Sequence, residues 1–477
     1  MLFLALGGYL LVIGATVSTF GWVWDDRAFL AGPRPPLGEW LRLAWTSDFW
    51  ALASEDARHA SGMFRPVTST THAVERAIFG ESPGLAHVVN LLIHAATALL
   101  TGLLARRLGG AAWVAAGFVL LHPHANELLG MVAGRTDALA AVFILGALLL
   151  GPASVAGDEP GGRRLLRGTA AGACVALACL AKEIGFVAPG LWILVDVLRG
   201  GRDPRRWIAP VVGAAVAAAI RVAALGSAFG EHDPGGRLDV IGGLASTGWA
   251  FADSLVAIPT APWPPPHAAA GGLLVLVGAI VLGVAGRRWG AWFAVAWVVI
   301  AWAPMADWTG LGIRSSRALL YVPIIGLALG IARLPVWERG SRGALAVAGV
   351  VGLLFAGLQG WSVSRWGSEE VLWQASARQN PDSPVPWLNL GRAQIEGGDL
   401  VGGRYSYMQA AALSQRARDA AHFVSAATAL GTMAMNEGDL EGARVFLQDA
   451  VEVAGAANAR DAVALLEEVE RRLLRPD

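Results

Sequence analysis

Two carboxylates stand side by side in Trp24-Asp25-Asp26-Arg27, directly after the first long apolar run of the chain. Such a pair can act as a general base toward a hydroxyl or hold a cation, while at an ordinary loop start it is only solvated charge. Leu121-His122-Pro123-His124-Ala125-Asn126-Glu127 sets two histidines two residues apart, with a carboxylate three beyond. Zinc takes these ligand types, yet a closed site needs one more firm ligand at suitable spacing, and none follows. Arg135, in Gly134-Arg135-Thr136-Asp137, opens another apolar run, and a guanidinium there can grip a phosphate in a fork. Lys182-Glu183 separates two short apolar runs, and Lys182 is the only lysine in the sequence. Arg314, Arg317 and Tyr321 stand at the start of a further run. Charge at membrane depth costs at least about 2.5–3.5 kcal/mol, so residues of this kind are functional candidates. Cations gathered at one height suit a lipid-borne phosphate, with carboxylates between them for sugar hydroxyls. Mutual ion pairing between helix ends accounts for the same residues equally well.

The elements that must position these residues are helices in a bilayer. Of 477 residues, 55% are hydrophobic and 16% charged, and the mean hydropathy is +0.50, which excludes an ordinary soluble enzyme. Net charge is zero, so no bulk basic field recruits nucleic acid. Cys174 and Cys179 lie inside an apolar run and read as packing residues rather than a disulfide or a metal pair.

Apolar stretches near the roughly 20 residues that cross a bilayer predict eleven spans: 2–21, 84–105, 110–124, 133–152, 168–181, 184–199, 207–225, 271–286, 289–305, 317–333 and 343–361. The first lacks a basic leader and a cleavage site, so it reads as a retained helix. The stretch 242–258, broken by Asp253 and followed by Pro259 and Trp263-Pro264-Pro265-Pro266, reads as interfacial or re-entrant. Arginines cluster at alternate loops: 106 and 107, then 163, 164 and 167, then 199 to 206, then 287 and 288, then 333 to 342. The positive-inside rule makes that side cytoplasmic, with the N-terminus inside and the C-terminus outside. Asp25, Asp26, Glu127, Asp137, Glu183, Asp233 and Asp307 then face outward. The loop 22–83 is too long for a simple connection, and Trp40, Trp45 and Trp50 at five-residue spacing predict an amphipathic helix at the interface.

After residue 365 the pattern turns polar and alanine-rich. Glu396-Gly397-Gly398-Asp399-Leu400 recurs forty residues on as Asn436-Glu437-Gly438-Asp439-Leu440, each preceded by Leu-Gly. Trp387, Leu390 and Gly391 match the Trp-x-x-Leu-Gly of the tetratricopeptide repeat. The offset exceeds the usual 34 and predicts about six extra residues between helix pairs. The expected fold class is therefore all-α: a membrane domain over 1–364, and a soluble extracytoplasmic repeat domain over 365–477 with a capping helix near 459–472.

In order along the chain, the motifs resemble the tetratricopeptide-containing transmembrane O-mannosyltransferases and, more distantly, other GT-C glycosyltransferases. The resemblance is carried by Asp25-Asp26, Phe64-Arg65-Pro66, His87 to His94 with Asn90, Leu121 to Glu127 with Gly134-Arg135, Ala181-Lys182-Glu183, and Arg317 with Leu320-Tyr321-Val322-Pro323. It weakens between about 200 and 300, and Arg314-Ser315-Ser316-Arg317 lacks the acidic residue usual before that arginine. The resemblance implies a polyprenyl-phosphate sugar donor, inverting transfer and an acceptor hydroxyl on a protein or glycan outside the cell. It implies Asp25 as base, Asp26 orienting acceptor or sugar, and a donor site drawn from Arg65, His122, His124, Glu127, Arg135, Lys182, Glu183, Arg317 and Tyr321. No resident cofactor or metal is required, although a divalent cation at the acidic pair is compatible. Expected partners are the lipid-linked sugar, the acceptor, membrane lipids and a protein held by the repeats, in a bacterial inner or plasma membrane. Two rivals share these features: a transporter or flippase for a lipid-linked saccharide, and a non-catalytic assembly factor.

Overall fold

The computed structural model describes residues 2–52, 62–151, 161–201, 203–227, 289–305, 317–337, 342–455 and 459–474, with isolated positions between 243 and 254. The expected span at 271–286 and most of 242–258 lie outside the described residues. The chain forms two compact units that divide between Gly367 and Ser368. Among the described residues, all regular structure is helical.

In the first unit, α1 (Leu2–Val17) is followed by the short α2 (Asp25–Leu30), then by α3 (Leu37–Thr46) and α4 (Pro66–Phe79). The long α5 (Pro83–Arg107) packs against α6 (Ala112–Leu121). A one-turn helix, α7 (Asn126–Gly130), and a 3-10 turn at Val132–Gly134 lead into α8 (Arg135–Leu150). Next come α9 (Gly161–Ala181), α10 (Ala188–Leu198), α11 (Ile208–Leu225), α12 (Trp289–Trp302), α13 (Tyr321–Ala332) and α14 (Arg342–Ser364). Five described helical stretches are long and apolar enough to cross a membrane: 83–107, 132–150, 162–181, 204–225 and 342–364. The chain is an integral membrane protein. Expected spans at 110–124, 184–199 and 317–333 form shorter helices, because 3-10 turns at Pro123–Ala125, Glu183–Val187 and Arg317–Leu320 replace α-helix at one end of each.

Helices alternate in direction, which gives this unit two chemically distinct ends. At one end, arginines cap neighbouring helices. Arg107 donates to the Leu149 carbonyl, Arg199 Nη1 to the Arg107 carbonyl at 2.8 Å, and Arg333 to the Leu108 carbonyl. Cations beside free helix-terminal carbonyls satisfy the acceptors that a helix C-terminus leaves open. At the other end, Thr68 Oγ1 donates to the Ala181 carbonyl at 2.9 Å and Asn126 Nδ2 to Ser362 Oγ at 2.5 Å. Asp25 and Asp26 lie at this second end, where Asp26 meets the start of α8.

The loop 22–83 folds over that end. α3 is amphipathic, but Trp40 is inside, Trp45 is partly out, and Trp50 lies beyond it in a 3-10 turn, so the three tryptophans do not share one helix face. Trp45 Nε1 donates to Thr70 Oγ1 at 3.0 Å, so α3 is tied to α4. Phe29, Phe49 and Trp50 stack at 4.3–4.4 Å between ring centres. These aromatic contacts add roughly 0.5–1.5 kcal/mol each beyond area burial and tie α2 to the residues after α3.

The second unit is a run of antiparallel helices: α15 (Glu369–Gln379), α16 (Pro384–Glu396), α17 (Leu400–Ala417), α18 (Ala420–Glu437), α19 (Leu440–Ala454) and α20 (Arg460–Leu473). The two copies of the repeated motif take the same local structure. Asp399 and Asp439 each cap the next helix, accepting from the Gly402 and Gly442 N–H at 2.9 Å. Gly398 and Gly438 before them hold positive φ, 88° and 83°, which favours glycine there. The extra residues predicted between the pairs are not in the connection, which is only Arg418-Asp419. They lengthen α17 and α18 to 18 residues each.

Candidate functional site

Asp25 and Asp26 open α2 after Trp24, whose φ of 50° places a non-glycine residue in the left-handed region. That conformation costs about 1–3 kcal/mol and persists only where the surroundings enforce it. Here they do. The Trp24 ring stacks on Trp366, and Trp366 covers Gly130 so closely that a Cβ on Gly130 would lie 2.1 Å from its ring.

The two carboxylates have different surroundings. Asp26 is fully buried. Its Oδ2 accepts from the Val132 N–H at 2.9 Å and its Oδ1 from the Ala133 N–H at 2.6 Å. It thus caps, from 106 residues away, the turn that starts α8. Burial pushes its pKa up to about 7, the two N–H donors pull it down, and Asp25 beside it pushes it up. Asp25 is half-buried and makes no side-chain hydrogen bond among the described residues. Burial pushes its pKa up to about 6, and the Arg65 guanidinium pulls it down. A carboxylate that holds no donor and titrates near neutrality is suited to take a proton.

Arg65 is the cation of this group. Its Nε and Nη2 donate to Glu183 Oε2 at 3.0 and 2.8 Å, and its positive charge acts on Asp25. It stands just before Pro66 at the start of α4, where its chain is fixed by the helix that follows. Burial raises the Glu183 pKa and Arg65 lowers it further than that, so Glu183 is held as a carboxylate. Next to it, Lys182 Nζ donates to Asp137 Oδ2 at 2.5 Å, with both groups almost wholly buried.

The remaining expected residues are placed differently. Arg135 is completely buried. Its Nε donates to Asn90 Oδ1 at 2.8 Å, its Nη2 to the Ala86 carbonyl at 3.2 Å, and its Nη1 pairs with Glu75 Oε2 at 2.7 Å. With its donors spent on protein groups, Arg135 acts in this conformation as a buried brace between α4, α5 and α8 rather than as an open phosphate fork. His122 Nδ1 accepts from the His124 N–H at 3.3 Å, and its Nε2 donates to the Ser254 carbonyl at 3.0 Å, which defines its neutral tautomer. Its ring lies among Phe118, Phe355 and His124. Tyr321 donates to His94 Nδ1 at 2.7 Å, also in the interior. His124 and Glu127 are buried near the same turn. The Arg317 side chain lies outside the described residues. The structure therefore brings Asp25, Asp26, Arg65 and Glu183 together, sets Lys182 beside them, and gives His122 and Tyr321 separate surroundings.

His87 to His94 with Asn90 enter the sequence reading only through the resemblance, which gives them no partners. His87, Asn90 and His94 form one stripe of α5, and each binds carbonyls of the 120–132 segment. Asn90 Nδ2 donates to Leu128, Met131 and Val132 at 2.8, 3.1 and 3.3 Å. His87 Nδ1 lies 2.9 Å from the Leu129 carbonyl, and His94 Nε2 donates to Leu120 at 3.1 Å. Their i, i+3, i+7 spacing marks a helix face, but only the fold identifies the partners. Each Asp26 oxygen accepts one N–H, and Asp25 makes no side-chain hydrogen bond among the described residues. Among the described residues, no three histidine, cysteine or carboxylate side chains converge as metal ligands.

The chain is similar to protein O-mannosyl-transferases. It is 30% identical over 183 residues to protein O-mannosyl-transferase TMTC2 of Mus musculus, a match covering 37% of this chain and 21% of that protein. To protein O-mannosyl-transferase TMTC1 of Homo sapiens it is 28% identical over 212 residues, 40% of this chain and 24% of that one. The chain thus spans less than a quarter of the length of these curated relatives. No protein-family model matches it. Among solved structures, ArnT from Cupriavidus metallidurans bound to undecaprenyl phosphate aligns over 98% of this chain and 77% of its own, with 15% identity and a TM-score of 0.42.

Proposed function

We propose that this protein is a membrane glycosyltransferase that moves a hexose, mannose by likeness to its relatives, from a polyprenyl-phosphate donor to an acceptor hydroxyl. The observation that carries the reading is Asp25: a half-buried carboxylate without a hydrogen-bond donor of its own, raised toward neutrality, beside a guanidinium fixed by Glu183. In the transfer, Asp25 takes the acceptor hydroxyl proton while the acceptor oxygen attacks the anomeric carbon from the face opposite the phosphate. The bond from that carbon to the phosphate oxygen breaks, the configuration inverts, and the lipid phosphate departs with the bonding electrons. Arg65 keeps Asp25 ionised, and Lys182, next along the chain from Glu183, stabilises the charge growing on that phosphate. Asp26 holds the turn before α8 in place and so fixes where Asp25 points.

The test is sugar transfer from radiolabelled polyprenyl-phosphate hexoses into membrane acceptors, comparing wild type with Asp25→Asn at equal expression. A general base contributes about 10²–10⁴-fold, so the variant is expected to lose at least two orders of magnitude. Transfer at the wild-type rate by Asp25→Asn would remove Asp25 from the chemistry. No transfer from any donor by either protein would favour the transport reading.

A further inference from the structure

At the arginine-bearing end, opposite Asp25, a cavity of about 840 Å³ opens between α8, α9, α10 and α11. That volume lies within the roughly 300–1,000 Å³ of pockets that enclose a small molecule. Its composition is divided. Arg164, Arg167, Arg205 and Arg206 line it together with one carboxylate, Asp203, and the remaining wall is almost entirely apolar.

The charged part is arranged for an anion. Asp203 is turned to local use, its Oδ1 accepting the Arg205 backbone N–H at 3.0 Å. Arg206 is braced by Asp196 at 3.5 Å, and Trp207 Nε1 donates to the same carboxylate at 3.1 Å. The side chains of Arg164 and Arg205 are exposed and make no hydrogen bond or ion pair among the described residues. Two uncommitted guanidinium groups therefore stand over a cavity beside a braced third.

The apolar part is arranged for hydrocarbon. α9 and α11 cross on glycines: a Cβ on Gly213 would lie 2.2 Å from the Gly172 carbonyl oxygen. Contact at that point, with no side-chain bulk on either helix, leaves a groove on the flank of the crossing. Leu165, Ile208 and Val212 border it and are 73, 58 and 52% exposed. In a protein whose helices cross a bilayer, such faces meet acyl chains rather than water.

We infer that this cavity binds an anionic glycerophospholipid, with its phosphate on Arg164 and Arg205 and an acyl chain along the α9–α11 groove. Basic pockets between membrane helices take such headgroups. A soluble phosphate would satisfy the arginines but leave the apolar groove unfilled, and a zwitterionic lipid would fill the groove but carry an amine to the arginines. The inference does not depend on sugar transfer.

The experiment is native mass spectrometry of the full chain released from vesicles of phosphatidylcholine with phosphatidylglycerol. Wild type is expected to retain phosphatidylglycerol in preference to phosphatidylcholine. The double variant Arg164→Gln/Arg205→Gln should lose roughly tenfold or more in retention, since each arginine at an anionic headgroup is worth about 1 kcal/mol. Arg163→Gln/Arg342→Gln, which removes equal charge from the same end but outside the cavity, should leave retention unchanged. Val212→Trp, which keeps the charge and fills the groove, should reduce it. Equal retention of both lipids, equal loss in the two double variants, or stabilisation by inorganic phosphate alone matching that by phosphatidylglycerol would each overturn the assignment.

Discussion

At the scale of single residues, the division of work between Asp25 and Asp26 is the central feature, and pH is the handle on it. If Asp25 is the base, transfer rises with pH as its carboxyl ionises, giving an acid limb near pH 6. Arg65 lowers that pKa, so Arg65→Gln is expected to move the limb to higher pH as well as to slow transfer. A rate profile of the variant with its limb unmoved would separate Arg65 from Asp25. The same shift has a stability consequence of opposite sense. A carboxyl raised from its ordinary value of 3.8 to about 6 keeps its proton longer in the folded state, so it favours folding below about pH 4 and loses that contribution as pH rises toward 6. The adjacency of the two carboxylates is legible in the sequence as a place for chemistry. Their difference is not, because it depends on the Val132 and Ala133 N–H groups, more than a hundred residues away.

At the scale of elements, α5 is the post on which the site is hung. Its His87, Asn90, His94 stripe receives carbonyls of a segment that is too irregular to satisfy itself, and Asn90 also orients Arg135. Replacing Asn90 by leucine would leave those carbonyls short of a donor and the Arg135 Nε–H without an acceptor, all of them buried. Leaving a buried donor or acceptor unsatisfied costs about 1–3 kcal/mol and more for a charged group, so Asn90→Leu, which strands several at once, is expected to lower the melting temperature of the detergent-solubilised protein sharply. Thr101→Val is the comparison on the same helix. Thr101 Oγ1 donates only to the Thr97 carbonyl one turn back, and its loss should cost no more than about 1.5 kcal/mol. Similar melting of the two variants would mean that the stripe is ordinary packing. Helices were readable from apolar run length, and the Lys182-Glu183 and Pro123 breaks from residue type. What could not be read is that Arg135, placed like a ligand-binding cation, is matched by Glu75 and Asn90. A charge and its buried partner on separate helices leave no local signature.

At the scale of the whole molecule, the arginine pattern was legible because solvation acts on each loop separately: a cluster reports its own side of the membrane without knowledge of the fold. The assembled first unit agrees internally, since Arg107, Arg199 and Arg333 cap neighbouring helix ends, while Asp25, Arg65 and Glu183 meet at the other end. The pattern does not fix which compartment each end faces; that comes from the preference of short cytoplasmic loops for arginine. The expected topology can be tested by replacing Cys174 and Cys179 with alanine and introducing cysteine at Glu81 or at Arg163 one at a time. Glu81 is exposed at the Asp25 end, and Arg163 at the arginine end. In intact cells a membrane-impermeant maleimide is expected to label Glu81→Cys, and to reach Arg163→Cys only after permeabilisation. The reverse pattern would put Asp25 in the cytoplasm, where an acceptor presented from outside could not meet it. Labelling of both positions from one side would contradict the alternating helix directions themselves. The expected result places anionic lipid at the cytoplasmic face and consumption of a lipid-linked sugar at the opposite one, where an acceptor from outside can meet Asp25.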